Sequence, residues 1–190
     1  MNWTKEQRKQ LIDKYPYLQP RNLWTGEIAD DYDYTYLVGE HSCPTGWERL
    51  FFLYCKNIEP LLAKQHCSKF MFSDVKEKYG TLRMYDFGAP EDVHALCTVY
   101  ECYSKYICQK CGARATVQTT DWISSFCDKC IPNTLKKYSK ALKYRKKCSV
   151  EVYQKDSGRC HITYSFKELN IEYMKIQQLT DDEFFEYLIS

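Results

Sequence analysis

The sequence predicts an α+β fold, and three observations carry that prediction. Apolar residues recur at helical spacing around positions 47–62 and 93–107, two period-two runs meet at Gly80, and four cysteines fall in two C-x-x-C pairs. The 190 residues are 44% hydrophobic and 27% charged, so a packed core is within reach and disorder is not the default. Seven Gly and six Pro exclude collagen-like and linker-rich classes. No apolar run approaches the roughly 18 residues of a membrane span, and the polar stretch Met1 to Lys14 is no export signal. The expectation is a soluble cytoplasmic protein with no membrane partner.

The elements follow from local signals in chain order. Thr4, with Gln7 three residues on, is a capping box for a polar helix that Pro16 and Pro20 stop. Tyr32, Tyr34 and Tyr36 alternate with Asp31, Asp33 and Thr35, which reads as an edge strand. From Thr45 a long helix aligns Trp47, Leu50, Phe51, Tyr54, Ile58, Leu61 and Leu62, with a kink or break expected at Pro60. Strands over about 69–76 and 81–87 come next, joined where Gly80 supplies a positive φ. Pro90 opens another helix in its first turn, Glu91 and Asp92 suit its dipole, and Val93, Leu96, Cys97, Tyr100 and Ile107 keep its phase. After Cys130, Pro132 starts a helix expected to reach about Lys147. A hairpin over 150–164 and two capped helices, signalled by Ser165 with Glu168 and Thr180 with Glu183, close the chain.

Eleven cysteines are an odd number, so one chain cannot pair them all, and a reducing compartment makes Cys clusters metal sites or reactive thiols. Cys108 and Cys111, then Cys127 and Cys130, have two residues inside each pair and fifteen between pairs. This is the spacing of a structural tetrathiolate zinc site built from two knuckles, with Gly112 as the permissive residue after the first. The expected architecture is then helices on a short antiparallel sheet, with an inserted four-cysteine zinc ribbon and a small C-terminal α/β appendage. The expected division is 1–106, 107–147 and 148–190. Cys97 reads as core, and His41 with Cys43 is at most half of a second metal site.

Charge is unevenly spread. Residues 104–147 carry 11 basic and 2 acidic side chains, while both flanking segments are net acidic. Lys136, Lys137, Lys140, Lys143, Arg145, Lys146 and Lys147 share one expected helix with no acid among them. Such a helix can neutralise phosphates, remain a solvated face, or dock against the acidic C-terminal Asp181, Asp182, Glu183 and Glu186. Lys76, Lys78 and Arg83 give the first hairpin a cationic side near Tyr79 and Tyr85, which suits a nucleotide or ordinary hairpin surface. Glu77 and Asp86 are either a carboxylate pair or solvated strand residues, and His94 reads as structural.

Recognisable catalytic patterns are missing. The sequence has no phosphate-binding Gly-rich loop, dinucleotide fingerprint, paired-His helix or serine elbow, and none of its four His is followed by the x-Glu of a zinc deaminase. A site closed by four thiolates leaves no position to activate water. The chain reads as non-enzymatic.

Several motifs in one order resemble uncharacterised small proteins of tailed bacteriophages and prophages. They are RNLWTG at Arg21 to Gly26, DYDYTY at Asp31 to Tyr36, Gly46-Trp47, VKEKYGTLRMYDFGAP at Val75 to Pro90 followed by EDVH, the knuckle Cys108 to Gly112, and WIS-x-x-C-x-x-C at Trp122 to Cys130. The resemblance covers about residues 21–131. It implies a protein acting inside a bacterial host cell, where accessory factors of this origin engage host proteins and block defence. The leading expectation is a binding protein of that kind, since 17 Tyr offer aromatic anchors. The alternative is a nucleic-acid-binding zinc-ribbon protein that uses the basic helix 136–147.

Overall fold

The computed structural model describes residues 3–19, 21–22, 24–25, 27–28, 43–67, 69–144, 147–154, 158–165 and 181–190. Within them the protein is α+β. The helices are α1 (Lys5–Lys14), α2 (Glu48–Lys64), α3 (Glu91–Ser104), α4 (Asn133–Lys136) and α5 (Asp181–Ile189). The strands are β1 (Met71–Lys78), β2 (Thr81–Phe87), β3 (Val117–Thr119), β4 (Ser125–Phe126), β5 (Ser139–Ala141), β6 (Lys147–Gln154) and β7 (Gly158–Ser165). They form an antiparallel hairpin β1–β2, a three-stranded sheet in the order β4-β3-β5, and a second hairpin β6–β7. The expected strand at Tyr32 to Tyr36, the residue His41 and the helix signalled by Glu168 lie outside the described residues.

Local chemistry sets the first elements. The Thr4 hydroxyl accepts from the Gln7 amide at 3.2 Å while the Gln7 side chain accepts from the Thr4 amide at 2.9 Å, so two orphan donors of α1 are satisfied reciprocally. Tyr79 (φ 53°) and Gly80 (φ 75°) both occupy the left-handed region between β1 and β2, as a two-residue primed turn requires. Glu77 Oε1 accepts from the Gly80 amide at 2.6 Å and Asp86 Oδ1 from the Ala89 amide at 3.3 Å. The two carboxylates therefore serve opposite ends of the hairpin and do not form a pair.

Helix α2 runs unbroken through Pro60, contrary to the kink or break expected there. Pro60 lies in an exposed final stretch of the helix, where water can satisfy the Lys56 carbonyl that it leaves without a partner. Helices α2 and α3 cover one face of the β1–β2 hairpin. Their shared core includes Trp47, Phe51, Tyr54, Ile58, Phe72, Leu82, Val93, Cys97 and Tyr100, all buried. Aromatic rings dominate it: Phe72 meets Phe51 at 5.6 Å and Phe70 at 5.3 Å between centroids, and Tyr54 meets Tyr100 at 5.3 Å. Tyr15, Tyr54, Tyr100, Tyr103 and Tyr106 are core, so the Tyr count alone says little about an interface.

Two ionic contacts pin this core. Arg83 on β2 meets Glu101 on α3 at 2.8 Å, and the other Glu101 oxygen accepts from the Met84 amide at 2.8 Å. Burial raises the Glu101 carboxyl above its ordinary value of 4.5 against the pull of Arg83. Arg83→Met should therefore destabilise the protein by about 3 kcal/mol, because it strands a buried charge. A carboxyl raised in the folded state favours folding at low pH and loses that contribution as pH rises, so the deficit should shrink on acidification. Urea unfolding at pH 5 and pH 8 checks both the size and the sign. In the second contact, buried Glu48 opens α2, accepts from the Trp3 amide at 2.9 Å and pairs with Arg8 at 3.3 Å, which ties α1 to α2.

The C-terminal helix α5 buries Phe185 and Leu188 in the same core as α2 and α3. Arg49 of α2 donates to the Tyr187 carbonyl at 3.1 Å, and Arg114 pairs with Glu186 at 2.6 Å. The acidic Glu186 thus meets Arg114, which lies outside the 136–147 stretch expected to dock there.

The basic helix expected over 136–147 is not present. Helix α4 ends at Lys136, β5 pairs with β3, and residues from Lys147 onward form β6. The apolar spacing of Leu135, Tyr138 and Leu142 is compatible with a helix, but Lys136 and Lys140, and Lys143 and Lys147, would then stack like charges one turn apart. Strand β3 offers an open ladder edge instead. The Thr120 amide donates to the Tyr138 carbonyl and the Leu142 amide to the Thr116 carbonyl, each at 2.7 Å, and the extended pairing wins. A further difference concerns α3: Cys102 is disulfide-bonded, whereas Cys43, Cys55, Cys67 and Cys97 are free.

Candidate metal centre

Four cysteines converge where the sequence spacing expects them to. The sulfurs of Cys108, Cys111, Cys127 and Cys130 all lie within 4.8 Å of one another, and Cys111 and Cys127 approach to 3.7 Å. Thiolates bound tetrahedrally at about 2.3 Å stand roughly 3.8 Å apart, so the cluster fits a single ion of that geometry. These side chains could hold a metal ion.

Each pair rides on a backbone turn that aims its sulfurs. In the first, the Cys108 amide donates to the Ala113 carbonyl at 2.7 Å and the Gly112 amide to the Cys108 carbonyl at 3.0 Å. Gly112 has φ 79°, which closes the turn in a conformation costly for other residues. In the second, the Cys130 and Ile131 amides both donate to the Cys127 carbonyl, at 3.0 and 3.1 Å. The Gln109 amide, donating to the Ser125 carbonyl at 3.0 Å, joins one turn to the other through β4. Burial pushes the Cys108 thiol up. At Cys111, against the upward push of burial, the Ala113 amide and neighbouring sulfurs hold the thiol below its ordinary range.

The segment just before α2 braces the first turn. The Gly46 amide donates to the Gln109 carbonyl at 2.8 Å, and the Trp47 indole donates to the Ile107 carbonyl at 3.1 Å. A Cβ on Gly46 would stand 1.9 Å from the Cys108 carbonyl oxygen and 2.8 Å from the Gly112 amide nitrogen. Gly46 is therefore pressed directly against the knuckle backbone. Nothing in the local sequence around Gly46-Trp47 reveals this contact.

The hairpin tip touches the ribbon as well. A Cβ on Gly80 would lie 2.8 Å from Ile123 Cγ2, which seats the β1–β2 turn on the loop after β3. That loop is well tied: the Thr119 hydroxyl bonds to the Trp122 carbonyl and accepts from the Ser124 amide at 2.8 Å. Trp122 and Tyr79, on either side of the contact, are 79% and 72% exposed.

The basic candidates take separate positions. Lys136, Lys137, Lys140 and Lys143 are exposed around α4 and β5, and the Lys137 ammonium lies 4.6 Å from the Tyr138 ring centroid. Arg145 and Lys146 lie outside the described residues, and Lys147 begins β6. On the hairpin, Lys76 pairs with Asp74 and Arg83 with Glu101, while Lys78 lies 5.8 Å from the Tyr79 ring. The His94 side chain is largely exposed, with Nδ1 3.7 Å from Asp86, whose own side chain is buried. Among the described residues, no helix is long and apolar enough to cross a membrane.

The fold and the cysteine cluster define an α+β protein built around a candidate four-thiolate centre. In comparisons with protein-family models, curated proteins and solved structures, nothing matches this chain.

Proposed function

We propose that this chain is a non-enzymatic binding protein in which a structural zinc ion organises a platform for a macromolecular partner. Zinc fits the donor set, since two C-x-x-C turns supply four soft thiolates in tetrahedral reach and leave no open position for a substrate. The observation that carries the reading is the exposure of Trp122 and Tyr79 on two tied-down turns that meet at Ile123 and Gly80. Large rings held rigidly in solvent are expensive in water and inexpensive to immobilise, which is the chemistry of binding anchors.

The motif resemblance over residues 21–131 supplies the setting: a phage or prophage factor in the bacterial cytoplasm that engages a host component, defence proteins included. A host protein partner rests on that resemblance. The Cys102 disulfide runs against a reducing cytoplasm, where such bonds are rare.

Affinity capture from bacterial lysate tests the reading, with the wild-type chain and the double variant Trp122→Ala, Tyr79→Ala as baits. The expected result is a discrete retained macromolecule that the double variant loses at unchanged melting temperature. Identical eluates from both baits would overturn the proposal.

A further inference from the structure

We infer that the surface formed by the β1–β2 tip and the ribbon binds single-stranded nucleic acid, by stacking bases on exposed rings and holding phosphates with the lysines beside them. This inference rests on the binding role proposed above and gives its ring surface a nucleic-acid partner in place of a host protein. Three exposed rings sit on segments that meet here from distant parts of the chain. Tyr79 and Trp122 flank the contact between Gly80 and Ile123. Tyr138 is 44% exposed and is fixed beside the Trp122 loop, because its carbonyl accepts from both the Thr120 amide (2.7 Å) and the Thr120 hydroxyl (2.9 Å).

Two of these rings carry their own cation: Lys137 stands 4.6 Å from the Tyr138 centroid and Lys78 stands 5.8 Å from that of Tyr79. Lys140, one residue along β5 from Ser139, is exposed as well. A lysine over one face of a ring leaves the other face for a base and brings positive charge to the adjoining phosphate. That alternation of ring and cation matches a polynucleotide whose bases are unpaired. Duplex DNA hides base faces, and an acidic protein surface supplies charge without flat rings. The wider charge agrees, since residues 104–147 carry 11 basic and 2 acidic side chains, although Asp121 is exposed next to Trp122. The lysines that composition alone assigns to a basic helix act here through turns and a strand.

Fluorescence anisotropy with the full zinc-loaded chain tests the inference. The probes are a labelled single strand of DNA or RNA of about 20 nucleotides, longer than one binding site of this kind, the same sequence as a duplex, and polyglutamate as competitor. The single strand is expected to bind at low salt and more tightly than the duplex. Trp122→Ala and Tyr79→Ala should each weaken it about tenfold, with Trp122→Phe retaining most of the affinity. Lys78→Gln and Lys137→Gln should each lower the salt slope by about 0.7. The ring variants should melt as wild type does, because both side chains are exposed. Absence of binding at about 50 mM salt, equal binding by the ring variants, or equal competition by polyglutamate would overturn the inference. A protein captured from nuclease-treated lysate and lost by the double variant would also overturn it, while leaving the binding role proposed above intact.

Discussion

Stripping the metal with a strong chelator is expected to unfold residues 107–131 and to loosen whatever rests on them. The ribbon has little core of its own. Strands β3 and β4 are three and two residues long, and its buried apolar side chains include only small or terminal contributors such as Ala115 and Ile131. A unit of that size cannot offset its own chain entropy, so metal binding and folding are one equilibrium, worth on the order of 10 kcal/mol in isolated zinc modules. Cys111→Ser or Cys127→Ser should act like the chelator. Loss should travel along two contacts. Ile123 would leave the hairpin tip, and Arg114 would release Glu186 together with Phe185, whose ring lies 4.6 Å from its guanidinium. Hydrogen exchange should thus show lost protection at Thr116, Thr119 and the α5 amides, with α2 and α3 largely retained. A melting curve and exchange pattern unchanged by chelation would contradict this.

Gly46→Ala is the second substitution with a large expected effect, although it touches no ligand. The added methyl would sit 1.9 Å from the Cys108 carbonyl, and that oxygen also accepts from the Gly112 amide, so the whole first turn must shift as a body. The second cysteine pair sits in its own turn, closed on the Cys127 carbonyl, so a shift of the first turn pulls the sulfur tetrahedron out of shape. Overpacking of backbone on backbone should cost about 3 kcal/mol, and misplaced ligands should lower metal affinity by roughly 10- to 100-fold. Gly88→Ala is the matched control. It has φ 77° but its nearest contact is an ordinary 3.4 Å, so it should cost only about 1 kcal/mol and leave metal affinity alone. Chelator competition and urea unfolding of the two variants separate these outcomes. Equal effects from both would mean that the close approach of Gly46 to the first cysteine turn carries no special weight.

What the sequence reveals here is what neighbouring residues decide among themselves. The Thr4–Gln7 box spans three residues, the primed turn needs only Tyr79 and Gly80, and each cysteine pair closes within its own tight turn, so all are legible without the rest of the chain. The basic helix fails for the opposite reason: its fate is set by the open edge of β3, earlier in the chain, which no local pattern announces. Pro60 similarly depends on solvent at the end of α2 rather than on its own ring. The brace of Gly46 on Cys108, and the meeting of Tyr79 with the Trp122 loop, are long-range contacts between segments whose local patterns give no sign of each other. The four-cysteine cluster is therefore readable from spacing, while the support around it and the exposed ring surface emerge only in three dimensions.

Native mass spectrometry of the freshly purified chain, set beside its mass under denaturing acid, tests the organising role of the four sulfurs most directly. One zinc ion per chain is predicted, lost together with the ribbon's compact charge distribution when Cys111 is replaced by Ser. A metal-free native mass, with Cys108, Cys111, Cys127 and Cys130 all open to alkylation in the folded protein, would contradict it.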